Sequence, residues 1–532
     1  MTRRSRYHLL LGLLLPAGLL ALNIVRSWPF TVDDAYISYR YARNFARGLG
    51  LVYNPGEHVE GYTNFLWTLL LGIGIRFHLD PDIVAKILGS LSVFGSLGIV
   101  YLLSRRLRPY EDVPCIATWL MATSVVQSGY AVFGLETALF VFLILAGTEL
   151  LFRERDRGSG FPYSGIVFGL AGLTRPEAPM FAGIAMLFLG WRFFQRQNIV
   201  RGLLFAGMML AHALWRHSYY GTWLPNTALA KTGTLAQQLR RGERYMLSYG
   251  EHAWPVLVLT CLGAAIAVVA FIAYLRARRG SGDGQRRIDA LAITALAGVS
   301  STYVLVIGAD WMPYFRFLAP FEPFAFVLAC FAVRTIAGHL ISAMSRLQWQ
   351  PWARRVVAAA CAVVFVTTLG AFRVQRLHDA QAFLIDNERL FWESTAGEAA
   401  DWLLADATPG RIAVWDIGYI GYATDYPLLD LFGLVEPTIS TLPGGYLRRT
   451  RPAYLDRIFA KNPDYFVLVG ARGSPCNAMS PSEFKLQRDP RFQNGYRLTA
   501  MIPHRRRGYW CIFARKSNPA GQQTASVTAS PF

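Results

Sequence analysis

Charge is scarce in this chain: Asp, Glu, Lys and Arg make up only 16% of its 532 residues. Beside 53% hydrophobic and 14% aromatic residues and a mean hydropathy of +0.29, that scarcity excludes a soluble enzyme of ordinary composition and points to a bilayer. Cysteine is scarcer still, at six. Cys115, Cys261, Cys330 and Cys361 lie in apolar runs, where Cys acts as a small hydrophobe. Cys476 and Cys511 lie in the polar final third; an oxidising compartment would permit one disulfide there, and two free thiols are the equal alternative.

Other absences narrow the function. No internal repeat is visible, which weighs against a secondary transporter. No Gly-rich loop suited to a nucleotide phosphate appears in the segments read as cytoplasmic. Residues 1–25 carry Arg3, Arg4 and Arg6 before an apolar run, but no convincing small-residue cleavage site, so they read as a retained first span.

What is present is arginine. The net charge of +19 sits in clusters near residues 3–6, 105–108, 153–157, 192–201, 276–287 and 346–355, each between apolar segments. That is the positive-inside pattern of a membrane protein and not a nucleic-acid face. A spanning helix needs roughly 20 apolar residues. Keeping the basic clusters on one side then gives spans near 9–26, 82–103, 113–128, 134–152, 160–175, 177–194, 199–217, 252–275, 288–308, 316–337 and 353–372. These are about eleven, with the N-terminus cytoplasmic and the C-terminus outside. Residues 65–77 are apolar but too short to cross, and counting them would put Arg105, Arg106 and Arg108 outside; they read as an interfacial or re-entrant helix.

The expected fold class is therefore mainly α: a polytopic membrane domain over 1–372, with a first external loop at 27–81. A periplasmic α/β domain over 373–515 follows, and then a disordered tail at 516–532. In the α/β domain, 379–404 reads helical, and 411–418, 464–470 and 509–515 read as strands.

The unusual polar residues fall in the segments assigned outside. The paired acids Asp33 and Asp34 open a stretch with helix grammar: an acidic N-cap, no breaker for over ten residues, and Gly48 at the end. Tyr36, Arg40, Arg43 and Arg47 then share a face. One acid suffices for a cap, which leaves the other to be explained. A carboxylate at a helix N-terminus can take a proton from a substrate hydroxyl, and arginines farther along can hold a phosphate. That is a layout for moving a group from a phosphate ester to a hydroxyl. A divalent cation between acids and phosphate is compatible with it, although no full ligand set is visible. Downstream, Glu57, His58, Glu60, Tyr62 and Asn64 are side chains suited to a sugar, and His58 with Glu57 and Glu60 makes no convincing metal site.

DDAYISYRYARNFARGLGLVYNPGEHVEGYTNFLW (33–67) resembles the signature of the bacterial terminal β(1→2) arabinofuranosyltransferase family, within the GT-C glycosyltransferases. GLET (134–137), LTRPE (173–177), YYGTWLPNTALAK (219–231) and GADWMPYFRFLAP (308–320) are similar to further parts of its pattern, as is DIGYIGYATDYPLLDLFGLVEP (416–437) in the last third. The resemblance implies a multi-spanning bacterial plasma-membrane enzyme with Asp33 and Asp34 at its catalytic centre. Its donor would be a polyprenyl-phosphate sugar, its acceptor an envelope glycan hydroxyl, and the sugar arabinofuranose by family name. It also implies phosphate contacts for Arg175, Lys231 and Arg316, and sugar contacts for Glu136, Asn226, Asp310 and Trp311. Two other classes share the framework: a flippase for lipid-linked glycan, and a non-catalytic envelope or flagellar-motor assembly factor working through its terminal domain.

Overall fold

The structure is a computed structural model that describes residues 7–107, 115–230, 234–276, 284–310, 312–383, 396–443, 449–471, 474–478, 480–504, 508–516 and 526–527. Lys231 and Trp311 lie outside the described residues, as does most of the tail.

Six helices are long and apolar enough to cross a membrane: Tyr7–Ser27, Pro81–Arg106, Arg196–Tyr220, Leu235–Arg276, Gly284–Ile307 and Phe321–Arg346. The other expected spans are helical but differ in form. Residues 113–128 contain Ile116–Ala122 and the start of Val125–Tyr130, two short helices separated where Ser124 accepts a hydrogen bond from Gln127 N and caps the second. Tyr163–Thr174 and Ala178–Leu187 have 12 and 10 residues, so they reach about 18 and 15 Å, near half the hydrocarbon core. Arg175 between them is extended, as a residue preceding proline should be. Phe65–Arg76, expected as interfacial or re-entrant, is a 12-residue helix. Pro351–Phe383 is one 33-residue helix, so the expected domain boundary at 372/373 falls inside a continuous element.

Pro81–Arg106 shows how the two ends of the helical body differ. At its start, Asp82 accepts hydrogen bonds from Thr31 and Tyr39 of the first loop and pairs with Lys86. At its finish, Arg106 pairs with Asp156 and with Asp289, which Arg155 also reaches at 2.7 Å. The first loop and this basic cluster are thus about 36 Å apart along one helix.

The C-terminal domain is a mixed α/β sheet. Strand β1 (Ile412–Val414) pairs in parallel with β2 (Leu428–Asp430) and β3 (Tyr465–Ala471). β4 (Ser474–Ala478) returns antiparallel on β3, whose other edge carries antiparallel β6 (Gly508–Arg515) and then β5 (Tyr496–His504). Ser526–Val527, within the segment expected to be disordered, forms β7 on β5. Cys476 and Cys511 form a disulfide joining β4 to β6. Alternation along the strands splits the core. Ile412, Val414, Tyr465 and Val467 join the cluster that fills the helical body, whereas Ala413, Phe466 and Leu468 pack under the domain's own helices. The sheet is therefore seated on the helical body through a continuous apolar core.

Candidate active site

The helix of the first loop runs Asp33–Ala46, and Gly48 follows its end at φ +81°, where a side chain would be strained. Its N-cap is Val32, without a side-chain cap, so neither acid plays the capping role expected of it on this helix. Asp33 instead serves a different helix. It is 3% exposed, and its carboxylate accepts hydrogen bonds from Gly418 N at 3.1 Å and Tyr419 N at 2.7 Å. Those amides open the short helix Tyr419–Thr424 of the C-terminal domain. Glycine at 418 is required by the approach, since a Cβ there would come within 2.0 Å of Asp33 O.

The arginine face meets the same segment. Arg40 is wholly buried and donates to the carbonyls of Tyr53 and Tyr426, each at 2.8 Å, to that of Gly421, and to Asn54 Oδ1. Arg40, expected to clamp a phosphate, places its donors on Tyr53 and Asn54 within the first loop and on Gly421 and Tyr426 of the C-terminal domain. Arg43 donates to Tyr422 O and pairs with Asp425 at 2.8 Å, which Arg47 also reaches. Tyr36 packs edge-on against Tyr419. Tyr53 donates to Ile417 O, and Asn54 donates to Leu428 O while its Oδ1 accepts from Leu428 N. The face was legible in sequence, but its partner is residues 417–428 of the same chain.

Asp34 is half-buried beside this junction. Burial, the charge of Asp416, and then Asp34 push Asp33 well above the usual carboxylate range, against the lowering effect of its two amide bonds. Burial and then the charge of Asp34 raise Asp416 to about 7. Three carboxylates of like charge thus crowd one place, contributed by the first loop and by the strand-to-helix turn after β1.

One turn along the same helix from Asp34, Ser38 opens a second, paired network. Asn64 donates to Ser38 Oγ at 3.0 Å and to Glu136 Oε2 at 2.8 Å. Glu136 Oε1 accepts from Arg175 and Arg316, both at 2.6 Å. Arg175 also binds Glu177, and Arg316 lies 3.7 Å from Asp310. Four residues noted separately in the sequence, Glu136, Arg175, Asp310 and Arg316, together with Asn64, are therefore one buried cluster.

The remaining sequence candidates sit elsewhere. Glu60 is buried in a two-pronged pair with Arg216 at 2.6 and 3.2 Å; burial raises its carboxyl despite that partner. Tyr62 bonds Tyr220 at 3.0 Å, His58 packs on Tyr219, and Glu57 accepts from Asn54. Asn226 donates to Gly433 O and Leu434 O, another tie to the C-terminal domain.

Two features escaped the sequence reading. Asp416 stands in a motif that was quoted without a role, and its distance of some 380 residues from the first loop hid the contact. A cavity of about 300 Å³ opens between helices, where two acids, Glu322 and Asp379, and two arginines, Arg373 and Arg376, join Tyr249 and His252 in a largely apolar wall. Phe133 connects it to the first loop, with its ring 4.9 Å from Phe30 and 6.2 Å from Tyr314 of the cavity wall. Tyr314 and Phe315 in that wall both have positive φ, at 59° and 55°, a strained pair of the kind that clusters at working sites. Among the described residues, no group of three or more His, Cys, Asp or Glu side chains is arranged to hold a metal ion.

Known proteins resemble this chain in two ways. By sequence, it is 29% identical over 355 residues to the terminal β-(1→2)-arabinofuranosyltransferase of Corynebacterium glutamicum, covering 58% of this chain and 49% of that one. It is 28% identical over 256 residues to the enzyme of the same name from Mycobacterium tuberculosis, covering 44% and 40%. The chain thus spans less than half the length of either curated relative it matches. By structure, it superposes on ArnT from Cupriavidus metallidurans bound to undecaprenyl phosphate, with TM-score 0.53, 12% identity and coverage of 94% and 97%. It also superposes on the oligosaccharyltransferase AglB from Archaeoglobus fulgidus in complex with an inhibitory peptide and a dolichol-phosphate, with TM-score 0.51, 14% identity and coverage of 85% and 69%. Residues 386–520 match a domain of unknown function (DUF8728). The chain is a multi-pass membrane protein that shares the fold of these two solved structures and is similar in sequence to the two arabinofuranosyltransferases.

Proposed function

We propose that the protein is a glycosyltransferase that moves a sugar from a polyprenyl phosphate to a hydroxyl of an envelope glycan at the outer face of the bacterial plasma membrane. The observation that carries this reading is the position of half-buried Asp34, beside like-charged Asp33 and Asp416 and one turn from Ser38, where the network holding Arg175 and Arg316 meets the helix.

Each group has a task in this reading. Asp34 takes the proton of the acceptor hydroxyl; that oxygen bonds the anomeric carbon as the carbon–oxygen bond to phosphate breaks, and the electron pair leaves on the polyprenyl phosphate. Arg175 and Arg316 stabilise the charge gathering on that phosphate, pre-set by Glu136 so that little reorganisation is needed. Asp33 and Arg40 are positioning residues that fix the carboxylate-bearing helix against the C-terminal domain. The cavity beside Tyr314 and Phe315 offers an apolar wall to the prenyl chain of a lipid-linked donor; its arginines Arg373 and Arg376 face Glu322 and Asp379 in the same lining. Arabinofuranose is the first sugar to try, on the strength of the two sequence relatives.

An outer-face site follows from the basic clusters. Arg106 and Arg155 mark the opposite end of the helical body, and arginine-rich ends stay cytoplasmic. No donor activated by a nucleotide is at hand outside, whereas a lipid-linked sugar is. The experiment is transfer of radiolabelled arabinofuranose from a synthetic polyprenyl-phosphate donor to an arabinoside acceptor in membranes containing the protein. Full transfer by the Asp33→Asn, Asp34→Asn double variant would reject the mechanism. Failure of arabinofuranose with success of another lipid-linked sugar would change only the substrate.

A further inference from the structure

The far end of the first-loop helix has its own chemistry. There it meets the C-terminal end of helix Phe65–Arg76, closely enough that a Cβ on Gly72 would lie 2.7 Å from Phe45 Cδ1. Between the two ends is an open groove of about 720 Å³ lined by Arg43, Ala46, Arg47, Ile75, Arg76, Phe77 and His78. Asp425 bridges Arg43 and Arg47 at 2.8 and 2.5 Å. Three guanidiniums less that one carboxylate leave a local formal charge of +2 with His78 neutral. Of the acids on the next helix, Asp82 is offset by Lys86, whereas Asp80 keeps its charge while capping through Asp82 N and Ile83 N and lies outside the groove lining. Among the described residues, Arg76 and His78 make no ion pair, and the buried Nε of Arg43 has no acceptor.

The groove also lies where the chain enters the membrane. Helix Phe65–Arg76 is too short to cross, and the spanning helix Pro81–Arg106 starts five residues after it ends. The link between them exposes Phe77 to 72% and Leu79 to 54%. Ile83, Ile87 and Leu91, at one-turn intervals, continue that exposed apolar surface down the spanning helix. A cationic groove above a strip of exposed aliphatic side chains matches a molecule with an anionic head and an acyl chain.

We propose that this groove binds the phosphate headgroup of an anionic phospholipid of the surrounding bilayer, with an acyl chain lying along Ile83, Ile87 and Leu91. It is a site distinct from the carboxylate cluster, because Asp34 and Arg43 are nine residues apart on one helix, about 14 Å. The bound phosphate would rest on the same arginines that hold Asp425, so lipid and C-terminal domain would share one anchoring point at the membrane surface.

The test is native mass spectrometry of the full chain released from nanodiscs of phosphatidylcholine with phosphatidylglycerol, comparing wild type with the Arg76→Ala, His78→Ala double variant and with Arg76→Lys. Both sites are exposed and outside the proposed active site. The expected result is a retained phosphatidylglycerol on wild type and Arg76→Lys, with retention about fivefold weaker in the double variant, which removes one full positive charge. Equal retention by the double variant would overturn the proposal. So would displacement of phosphatidylglycerol by polyprenyl phosphate at equal concentration, which would make the groove a donor site, or by millimolar inorganic phosphate, which would show that the acyl track contributes nothing.

Discussion

Two groups of charge meet the first-loop helix one turn apart, at Asp34 and at Ser38, and they are built on opposite plans. Around Glu136, every close charge is matched by one of opposite sign: Arg175, Arg316, Glu177 and Asp310 alternate through a buried network. Around Asp34, the neighbours Asp33 and Asp416 carry the same sign, and their carboxyls are pushed up by burial first and then by neighbouring carboxylate charge. Paired charges cost little to keep once the desolvation of each is offset by the others. Like charges in a half-buried place lower stability, and a fold retains such a place when the charge has work to do. The difference separates the group proposed to move a proton from the groups proposed to hold geometry.

That contrast can be broken by substitution. Asp34→Asn should leave the amount of folded protein unchanged and cut transfer by about 10²–10⁴-fold, the usual contribution of a general base, measured as initial rate in membranes. Glu136→Ala should do the reverse in kind: it removes the carboxylate shared by two buried guanidiniums, leaving Glu177 to Arg175 and the more distant Asp310 to Arg316, and should destabilise the protein by about 3 kcal/mol, read as a lowered unfolding midpoint in detergent. If Asp34→Asn were the destabilising change and Glu136→Ala the stable but inactive one, the two roles would have to be exchanged.

Smaller effects sharpen the comparison. Asp33→Ala leaves Gly418 N and Tyr419 N without an acceptor, which should cost about 1–3 kcal/mol and loosen residues 417–428, seen as faster proteolysis there. The pH dependence of stability should be smaller still. Asp416 is raised in the folded protein from its ordinary value to about 7, so the folded form holds the proton more tightly than the unfolded chain. The stability it contributes is present below about pH 4 and is lost as pH rises through about 7. Asp416→Asn should flatten that part of the curve of unfolding midpoint against pH.

Much of the fold and the outline of the site were legible from the residues. The helix over Asp33–Ala46, its arginine face and its end before Gly48 could be read from spacing and propensity, because they are local properties. Three strands of the C-terminal sheet were legible for the same reason, whereas β2 and β5 were not: β2 is three residues long, and β5 contains Pro503 and polar residues that blur its pattern. The length of the spans was less legible: 160–175 and 177–194 read as two crossings parted near Arg175, whereas the helices there, Tyr163–Thr174 and Ala178–Leu187, have only 12 and 10 residues. Arg40 shows a different limit. An arginine aimed at a phosphate and one aimed at three carbonyls have the same local sequence, and only the partner distinguishes them.

Composition and periodicity by themselves determined that this chain is a polytopic helical protein with a small α/β domain, since burial of apolar surface in a bilayer depends on runs of residues and not on their partners. They also determined that two acids begin a basic helix in the first loop. Tertiary structure alone decided which acid is buried in a domain contact and which stays half-buried, and that Asp416 joins them from the far end of the chain. The reason is physical. The charge state and availability of a carboxylate are set by burial and by neighbours within a few ångströms, and folding chooses those neighbours without regard to their separation along the chain.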